Sequence, residues 1–301
     1  MSSIKGWRRP SPPKGYPRGY LPDPERQDVF DPALKHHPNA FVKAEPEFSN
    51  VAERLAFQKA RARVLEIAVA ALADSKVRDH LVVRGSITLQ HWFGSLARPA
   101  KDIDLVVVPA AWKPTSAEAT KLLTAIQDCV CRALVEAHVG PIADGVRIDS
   151  IWTYERAEGR RLSFLWIWND MQPEQLQIDV VFCEPLQTAP ILESLTYGSL
   201  WFASQSESLA WKLLWLESDF HPQAKDLYDA ILLAEATSLP LSLLRKVFQG
   251  KDRDWDARYE DPAFVIDWDV PSEDIVVSCP ELAPPTGPEG LVRLRDALRF
   301  V

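Results

Sequence analysis

The feature that most constrains the fold is a pair of aspartates at the start of an apolar run, Asp102-Ile103-Asp104-Leu105-Val106-Val107-Val108. The β-branched run predicts a buried strand. Side chains alternate between the two faces of a strand, so Asp102 and Asp104 point the same way, with Cα atoms about 6.6 Å apart, while Ile103 and Leu105 face the core. Two carboxylates at this spacing can share Mg²⁺ ions in a phosphoryl displacement.

A second motif precedes the aspartates by a short interval. Leu81-Val82-Val83-Arg84 predicts a strand, Gly85-Ser86 a tight turn, and the following residues a helix that ends at Gly94. Glycine allows close approach of a ligand, and Ser86 with the free N–H groups of the first helical turn can bind a phosphate. Alone, the turn is equally a plain helix cap, and an Asp-x-Asp pair is common on solvated edges. The turn and the aspartate pair occur together in the order strand, turn, helix, loop and strand. This combination favours a functional site.

A lysine within a predicted buried helix face is the third candidate. Ser204 and Glu207 form a capping-box pattern, and Leu209, Leu213 and Leu216 recur at helical spacing. Lys212 falls inside that apolar stripe. A buried lysine needs a carboxylate or a bound phosphate as partner, whereas a lysine whose stem alone is buried extends its ammonium to water. Both readings remain open from the residues alone.

Together these segments resemble a known superfamily. Arg84-Gly85-Ser86, followed by Ala97-Arg98-Pro99-Ala100-Lys101-Asp102-Ile103-Asp104-Leu105, resembles the signature of the DNA-polymerase-β-like nucleotidyltransferases, and more narrowly of the AbiEii/AbiGii-type toxins. Segments 175–182, 207–214 and 224–229 are similar to later motifs of that family, in the expected order. The resemblance covers roughly residues 50–250. It departs where Arg84 replaces a common lysine and Ser86 a common glycine or threonine; no carboxylate is lost.

The resemblance implies a fold and an activity. The fold is α+β, a polymerase-β-like palm with a mixed sheet flanked by helices and a helical C-terminal part. The activity is Mg²⁺-dependent transfer of NMP from an NTP to an RNA acceptor, such as the 3′ end of tRNA, by a toxin paired with an antitoxin. Alternatives are nucleotidylation of a protein or small-molecule hydroxyl, and an inactive binding module. The implied catalytic and metal-binding residues are Asp102, Asp104 and Asp179, and the implied nucleotide-binding residues are Gly85, Ser86, Lys212 and Asp226.

The third carboxylate is assigned to Asp179 by this resemblance. Its segment, 175–182, reads as a strand buried on both faces, where an unpartnered carboxylate is costly. The cation held by Asp102 and Asp104 is its expected partner, and Asp179 would activate the attacking hydroxyl. Asp149 is a competing candidate, ranked behind because its segment is more polar and matches no motif.

The helix after Lys212 carries Lys225, Asp226 and Asp229. Lys225 and Asp229 are four residues apart, which is typical of a solvated surface ion pair. Asp226 is the functional member by resemblance, and we expect it to orient Lys212 beside the nucleotide.

Composition excludes several classes of protein. The chain has 301 residues, is 47% hydrophobic and carries a net charge of −8, so it can bury a core but presents no broad surface for nucleic acid. Its four cysteines and six histidines lack disulfide or zinc spacing. No run approaches a membrane span and no secretion signal is evident, so we expect a cytoplasmic protein.

The sequence divides into four parts. Residues 1–49 form a Pro-rich basic arm, either a solvated tail or an RNA contact, and 50–185 hold the palm. Residues 186–250 are expected to be helical and carry the lysine and Lys-Asp motifs, and 251–301 form an acidic, Pro-rich extension. Helices are expected at 51–74 and 116–137, and strands near 80–84, 102–108, 146–154, 162–168 and 176–182.

Overall fold

A computed structural model describes residues 48–301, apart from 154–156, 169–170, 172, 197, 219–221, 250–254, 271–281, 283 and 286. Nearly all of the basic arm, the histidines at 36, 37 and 221, and Cys279 therefore lie outside the described residues. The seven α-helices of the described part are α1 Val51–Ala73, α2 Ser86–Phe93, α3 Ala117–Glu136, α4 Gln205–Ser218, α5 Ala224–Ala236, α6 Leu241–Gln249 and α7 Gly287–Ala297.

Local sequence explains where the two long helices begin. The side chain of Asn50 accepts a hydrogen bond from the Glu53 N–H at the start of α1, and Ser116 accepts one from the Ala119 N–H at the start of α3. Such caps satisfy N–H groups that have no partner inside the helix. The predicted bounds of both helices agree with the observed ones to within one residue.

The strands form one mixed sheet of seven, in the order β3-β4-β5-β2-β1-β7-β6. The central strand β2 is antiparallel to β1 and parallel to β5, so the α+β class with a mixed sheet flanked by helices is confirmed. The strands are β1 Leu81–Arg84, β2 Ile103–Val107, β3 Gly140–Thr153, β4 Ala157–Ile167, β5 Glu174–Val181, β6 Ile191–Leu195 and β7 Gly198–Phe202.

The central strands separate two hydrophobic cores. Val82 and Val106 belong to a core with α4, α5, α6 and α7. Val83 and Leu105 belong to the other core, with α1 and α3. Alternation of side chains along β1 and β2 therefore gives each strand one face in each core. The side chain of Asp104, two residues before Val106, lies on the face of the α4–α6 core.

The sheet extends further along the chain than the sequence indicated. Residues 186–203, expected to begin a helical part, contribute β6 and β7 to the edge of the same sheet. Their apolar residues, such as Leu192 and Trp201, pair across a short hairpin, a tertiary arrangement that an isolated short segment does not reveal. Within the described ranges, no helix has the length and apolar content needed to cross a bilayer.

Candidate active site

Five ionisable side chains stand in one row across five neighbouring strands. Strand register places Arg84 of β1 opposite Asp104 of β2, and Asp104 beside Asp179 of β5. Arg161 of β4 stands opposite Asp179, and Asp149 of β3 opposite Arg161. Directly opposed residues share a face of the sheet, so the row lies on the face of Asp104. The sequence-predicted carboxylates Asp104 and Asp179 are thereby brought together.

The Gly85-Ser86 turn lies against the aspartate pair. Gly85 has a φ of 76°, and a Cβ atom there would lie 2.4 Å from Oδ2 of Asp104. A side chain is excluded both by backbone conformation and by space. Ser86, the first residue of α2, is 2% exposed, and its Oγ has no hydrogen-bond partner among the described residues. A buried unpartnered hydroxyl at a helix N-terminus is a donor suited to a phosphate oxygen.

The surroundings of Asp104 change its protonation. Burial, together with the neighbouring Asp102 and Asp179, raises the pKa of Asp104 to about 7, against a smaller opposing effect of Arg84 and Lys212. Asp102 lies immediately before β2 and, like Asp104, remains partly accessible. The negative charges of Asp102 and Asp179 therefore act on Asp104, and a cation bound at Asp104 would relieve that repulsion.

Asp179 has a partner that the sequence analysis missed. The Arg161 guanidinium donates to both carboxylate oxygens, Nε to Oδ1 and Nη2 to Oδ2, each at 2.7 Å. Both residues are almost completely buried. The expected partner was a bound cation; in this structure the arginine balances the charge. Each oxygen retains a second lone pair, so Asp179 can still accept a proton or contact a ligand.

Asp149 lies apart from Asp104 and Asp179. It lies three strands from Asp104 in the sheet order, about 14 Å at the usual strand spacing. Its carboxylate pairs with Arg147 on its own strand. Asp179, on the strand next to β2, is nearer to Asp104 than Asp149 is, and its assignment as the third carboxylate stays a prediction.

Lys212 of α4 is enclosed and paired with carboxylates. Its Nζ lies 2.8 Å from Oδ1 of Asp226 and 2.8 Å from Oδ2 of Asp229, both on α5. It also stands over the Trp215 ring, 4.9 Å from the centroid. The snorkelling alternative is wrong, because the lysine is 5% exposed. Asp226 contacts Lys212 as expected for an orienting residue.

Asp229 is a residue whose role the sequence analysis misjudged. It is fully buried rather than part of a surface pair, and the Arg98 guanidinium donates three hydrogen bonds to it at 2.9 to 3.2 Å. Burial alone lowers the pKa of Arg98, but Asp229, Asp226 and Asp102 together raise it above its ordinary value. The network of Lys212, Asp226, Asp229 and Arg98 therefore joins α4 and α5 to the loop before β2. The feature of the sequence that relates to this network is Arg98, three residues before Lys101, a buried-site cation that needs an acidic partner.

Arg84, the residue before the Gly85-Ser86 turn, also pairs with an acid. Arg84 is 2% exposed, and its Nη1 donates to Oε2 of Glu184 at 2.8 Å. Its guanidinium lies over the rings of Trp211 and Trp215 at 5.2 and 5.8 Å. Such contacts favour a charge removed from water. Glu184 and both tryptophans were not among the predicted site residues.

The capping box at α4 is only half formed. Ser204 Oγ accepts from the Glu207 N–H at 3.1 Å, as expected. The Glu207 carboxylate instead accepts from the N–H groups of Gln187 and Thr188 and from the Thr188 hydroxyl. Glu207 thus fastens the segment after β5 to α4, a long-range contact that the local motif could not indicate.

The donor set fits a divalent cation that also binds the substrate. Among the described residues no group of three or more acidic, histidine or cysteine side chains is placed to hold a metal ion by itself. Mg²⁺ is commonly held by one or two carboxylates plus substrate phosphates and water. Asp102 and Asp104 supply that pair beside the unpartnered Ser86 hydroxyl, and the Arg161 contacts hold Asp179 at their side.

A mixed sheet that carries paired aspartates beside a Gly-Ser turn is the framework of a nucleotidyltransferase, and comparison with known proteins supports this class. A family profile described as "Nucleotidyl transferase AbiEii toxin, Type IV TA system" matches residues 67–299. The chain belongs to this family of toxin–antitoxin nucleotidyltransferases.

A solved structure that is similar to this chain is an antigenic nucleotidyltransferase-like protein from Paracoccidioides brasiliensis. The sequences are 13% identical, the TM-score is 0.38, and the alignment covers 80% of this chain and 95% of that chain. No curated protein matches.

Proposed function

We propose that this chain is a cytoplasmic, Mg²⁺-dependent toxin that transfers NMP from an NTP to the hydroxyl at an RNA end, such as the 3′ end of tRNA. Its activity would be countered by a separately encoded antitoxin. The observation that carries the proposal is the Asp102 and Asp104 pair beside Gly85 and the unpartnered Ser86 hydroxyl. Family membership supports the nucleotide substrate.

The triphosphate would lie at the N-terminus of α2. Ser86 Oγ and the free N–H groups of the first turn donate to phosphate oxygens, and Gly85 leaves room for them. Asp102 and Asp104 would hold Mg²⁺, which when bound neutralises phosphate charge and stabilises the attacking and leaving oxygens. Lys212 contributes positive potential from beneath the site, and Asp226 fixes its ammonium.

The transfer step balances with the residues present. The acceptor hydroxyl oxygen forms a bond to the α-phosphorus, and the bond from that phosphorus to the oxygen bridging to the β-phosphate breaks. Pyrophosphate leaves with the electron pair. The hydroxyl proton passes to the Asp179 carboxylate, which Arg161 holds in place through two hydrogen bonds. Positioning and electrostatics supply most of the catalysis in such reactions.

The proposal is tested by labelling. Purified protein is incubated with each α-³²P-labelled NTP, Mg²⁺, total tRNA and a protein extract, with Asp102→Asn, Asp104→Asn and a chelator as controls. We expect label on RNA that is lost in all three controls. Label on protein or on small molecules instead would identify the alternative acceptors. NTP binding without transfer to any acceptor would contradict the proposal.

A further inference from the structure

A cavity of about 670 Å³ lies on the α1 side of the sheet. Its walls are α1, α2, the loop before β2 and the end of β6. This is within the range of small-molecule sites, roughly 300–1,000 Å³. The Lys212 network belongs to the opposite side of the sheet, with the α4–α6 core. The cavity and the Lys212 network therefore lie on opposite sides of the sheet.

The charges of the lining favour an anion. Two cationic side chains, Arg54 and Lys101, line the cavity against one carboxylate, Glu66; Arg61 also lines it, but its charge is balanced by Glu174. This excess of positive charge contrasts with the net charge of −8 of the whole chain. Arg61 is fixed by Glu174 at 3.3 Å and by the Phe57 ring, so its guanidinium is already oriented. A preorganised cation costs a ligand less conformational entropy.

The remaining lining fits an apolar ring with polar edges. Leu65, Val69 and Ile87 supply apolar walls, and Gln58 and Gln90 supply amides that both donate and accept. A nucleoside phosphate combines these three requirements: a flat base, hydrogen-bonding edges and a negative charge. A simple inorganic anion would not contact the apolar walls, and an apolar molecule would not contact the amides or the positive charges of the lining.

The cavity ends next to the catalytic residues. Lys101 of its lining directly precedes Asp102, and Ile87 directly follows Ser86. A ligand in the cavity would therefore lie on the other side of the same turn and loop that form the catalytic edge.

We propose that this cavity is a second nucleotide-binding site, taking a nucleoside phosphate either from the acceptor strand or from a free nucleotide. The acceptor source rests on the proposed function; the free-nucleotide source does not. With either source, the cavity should bind the nucleoside phosphate even when no transfer reaction takes place.

The test measures binding without NTP, so that no transfer occurs. Full-length protein is titrated with a fluorescein-labelled eight-nucleotide single-stranded RNA by anisotropy, and with the four nucleoside monophosphates by equilibrium dialysis. Ala70→Trp fills the cavity from α1, and Ala56→Trp, on an exposed position of α1 outside the cavity, is its control. Arg54→Glu reverses a wall charge, and Lys59→Glu, exposed on the same helix, is its control.

Each outcome decides between the sources or rejects the site. RNA binding weakened by about tenfold or more in Ala70→Trp and Arg54→Glu, but not in their controls, supports the acceptor source. Loss of one bound monophosphate per chain in the same variants supports the free-nucleotide source. Unchanged binding of both probes, or no binding by the wild type, overturns the inference. Crosslinking of 4-thiouridine RNA to α1 gives a readout should Ala70→Trp misfold, and crosslinks elsewhere overturn the inference.

This design separates the two proposals. RNA bound through the cavity by a protein that transfers no label would contradict the proposed function and leave the second site standing. Transfer of label to RNA, with RNA and monophosphate binding unchanged in the cavity variants, would support the proposed function and overturn the second site.

Discussion

At the scale of single residues, Gly85 carries the strongest steric constraint of the site. Gly85→Ala forces a φ of 76° on an L-residue and puts a Cβ within 2.4 Å of Asp104 Oδ2. We expect loss of transfer activity and of stability. Gly94→Ala is the matched control, since Gly94 has a φ of 55° with nothing within 4 Å of its Cβ position. It should lose about 1–3 kcal/mol from backbone strain alone. Urea denaturation and transfer assays of both variants check this; equal losses would contradict it.

Asp104 should make the stability of the metal-free chain depend on pH. Its pKa rises from 3.8 to about 7 on folding, so its contribution is present below about pH 4 and is lost as the pH rises through 7. The slope approaches about 1.4 kcal/mol per pH unit inside that window. We expect Asp104→Asn to gain stability relative to the wild type between pH 5 and pH 8. Urea denaturation in the presence of a chelator measures the difference, and a difference independent of pH would refute the prediction.

At the scale of elements, the Arg161–Asp179 pair joins β4 to β5. Arg161→Met leaves a buried carboxylate unpaired and should cost about 3–5 kcal/mol of unfolding free energy. The double variant Arg161→Met/Asp179→Leu removes both charges, and we expect it to recover much of that loss. Chemical denaturation of the two single variants and the double variant gives the coupling energy. Additive losses would show that the pair is not coupled.

Asp229 of α5 ties two other elements together. It receives three hydrogen bonds from Arg98, in the loop before β2, and it contacts Lys212 of α4. We expect Asp229→Asn to destabilise the chain by about 3–5 kcal/mol, because it weakens the partner of two buried cations. Asp296→Asn, at an exposed ion pair, is the control, expected within about 0.5 kcal/mol. Thermal and urea unfolding compare the two variants; a loss at Asp229 no larger than the loss at Asp296 would contradict the prediction.

The elements also show what local sequence can and cannot predict. The sequence predicted the bounds of α1 and α3, the strand after Asp102 and the turn at Gly85, because each depends on local features of the chain. It did not predict the contacts of Arg161 with Asp179, of Asp229 with Lys212 or of Thr188 with Glu207, because these form only through tertiary packing. The hairpin of β6 and β7 was missed because its placement at the sheet edge depends on β1.

At the scale of the whole molecule, one sheet serves two cores. Alternate side chains of β1 and β2 pack into the two cores. Unfolding of one core would therefore expose the strand face that packs against the other core. We therefore expect α1, α3, α4 and α5 to unfold together. Hydrogen exchange with mass spectrometry in moderate denaturant tests this, since a single opening should deprotect all four helices. Earlier exchange of α4 and α5 would instead identify an independent unit and support a domain boundary near residue 186.

The row of charges across the sheet also has an evolutionary consequence. Its buried arginines pair with acids, Arg161 with Asp179 and Arg84 with Glu184, and Arg98 of the neighbouring loop pairs with Asp229. A change of one partner alone leaves a charge stranded in the interior, so lineages should cross that barrier by changing both. Among relatives, these three pairs of positions should covary. A relative in which one member of a pair is replaced by an uncharged residue should carry a compensating change of charge elsewhere in the site.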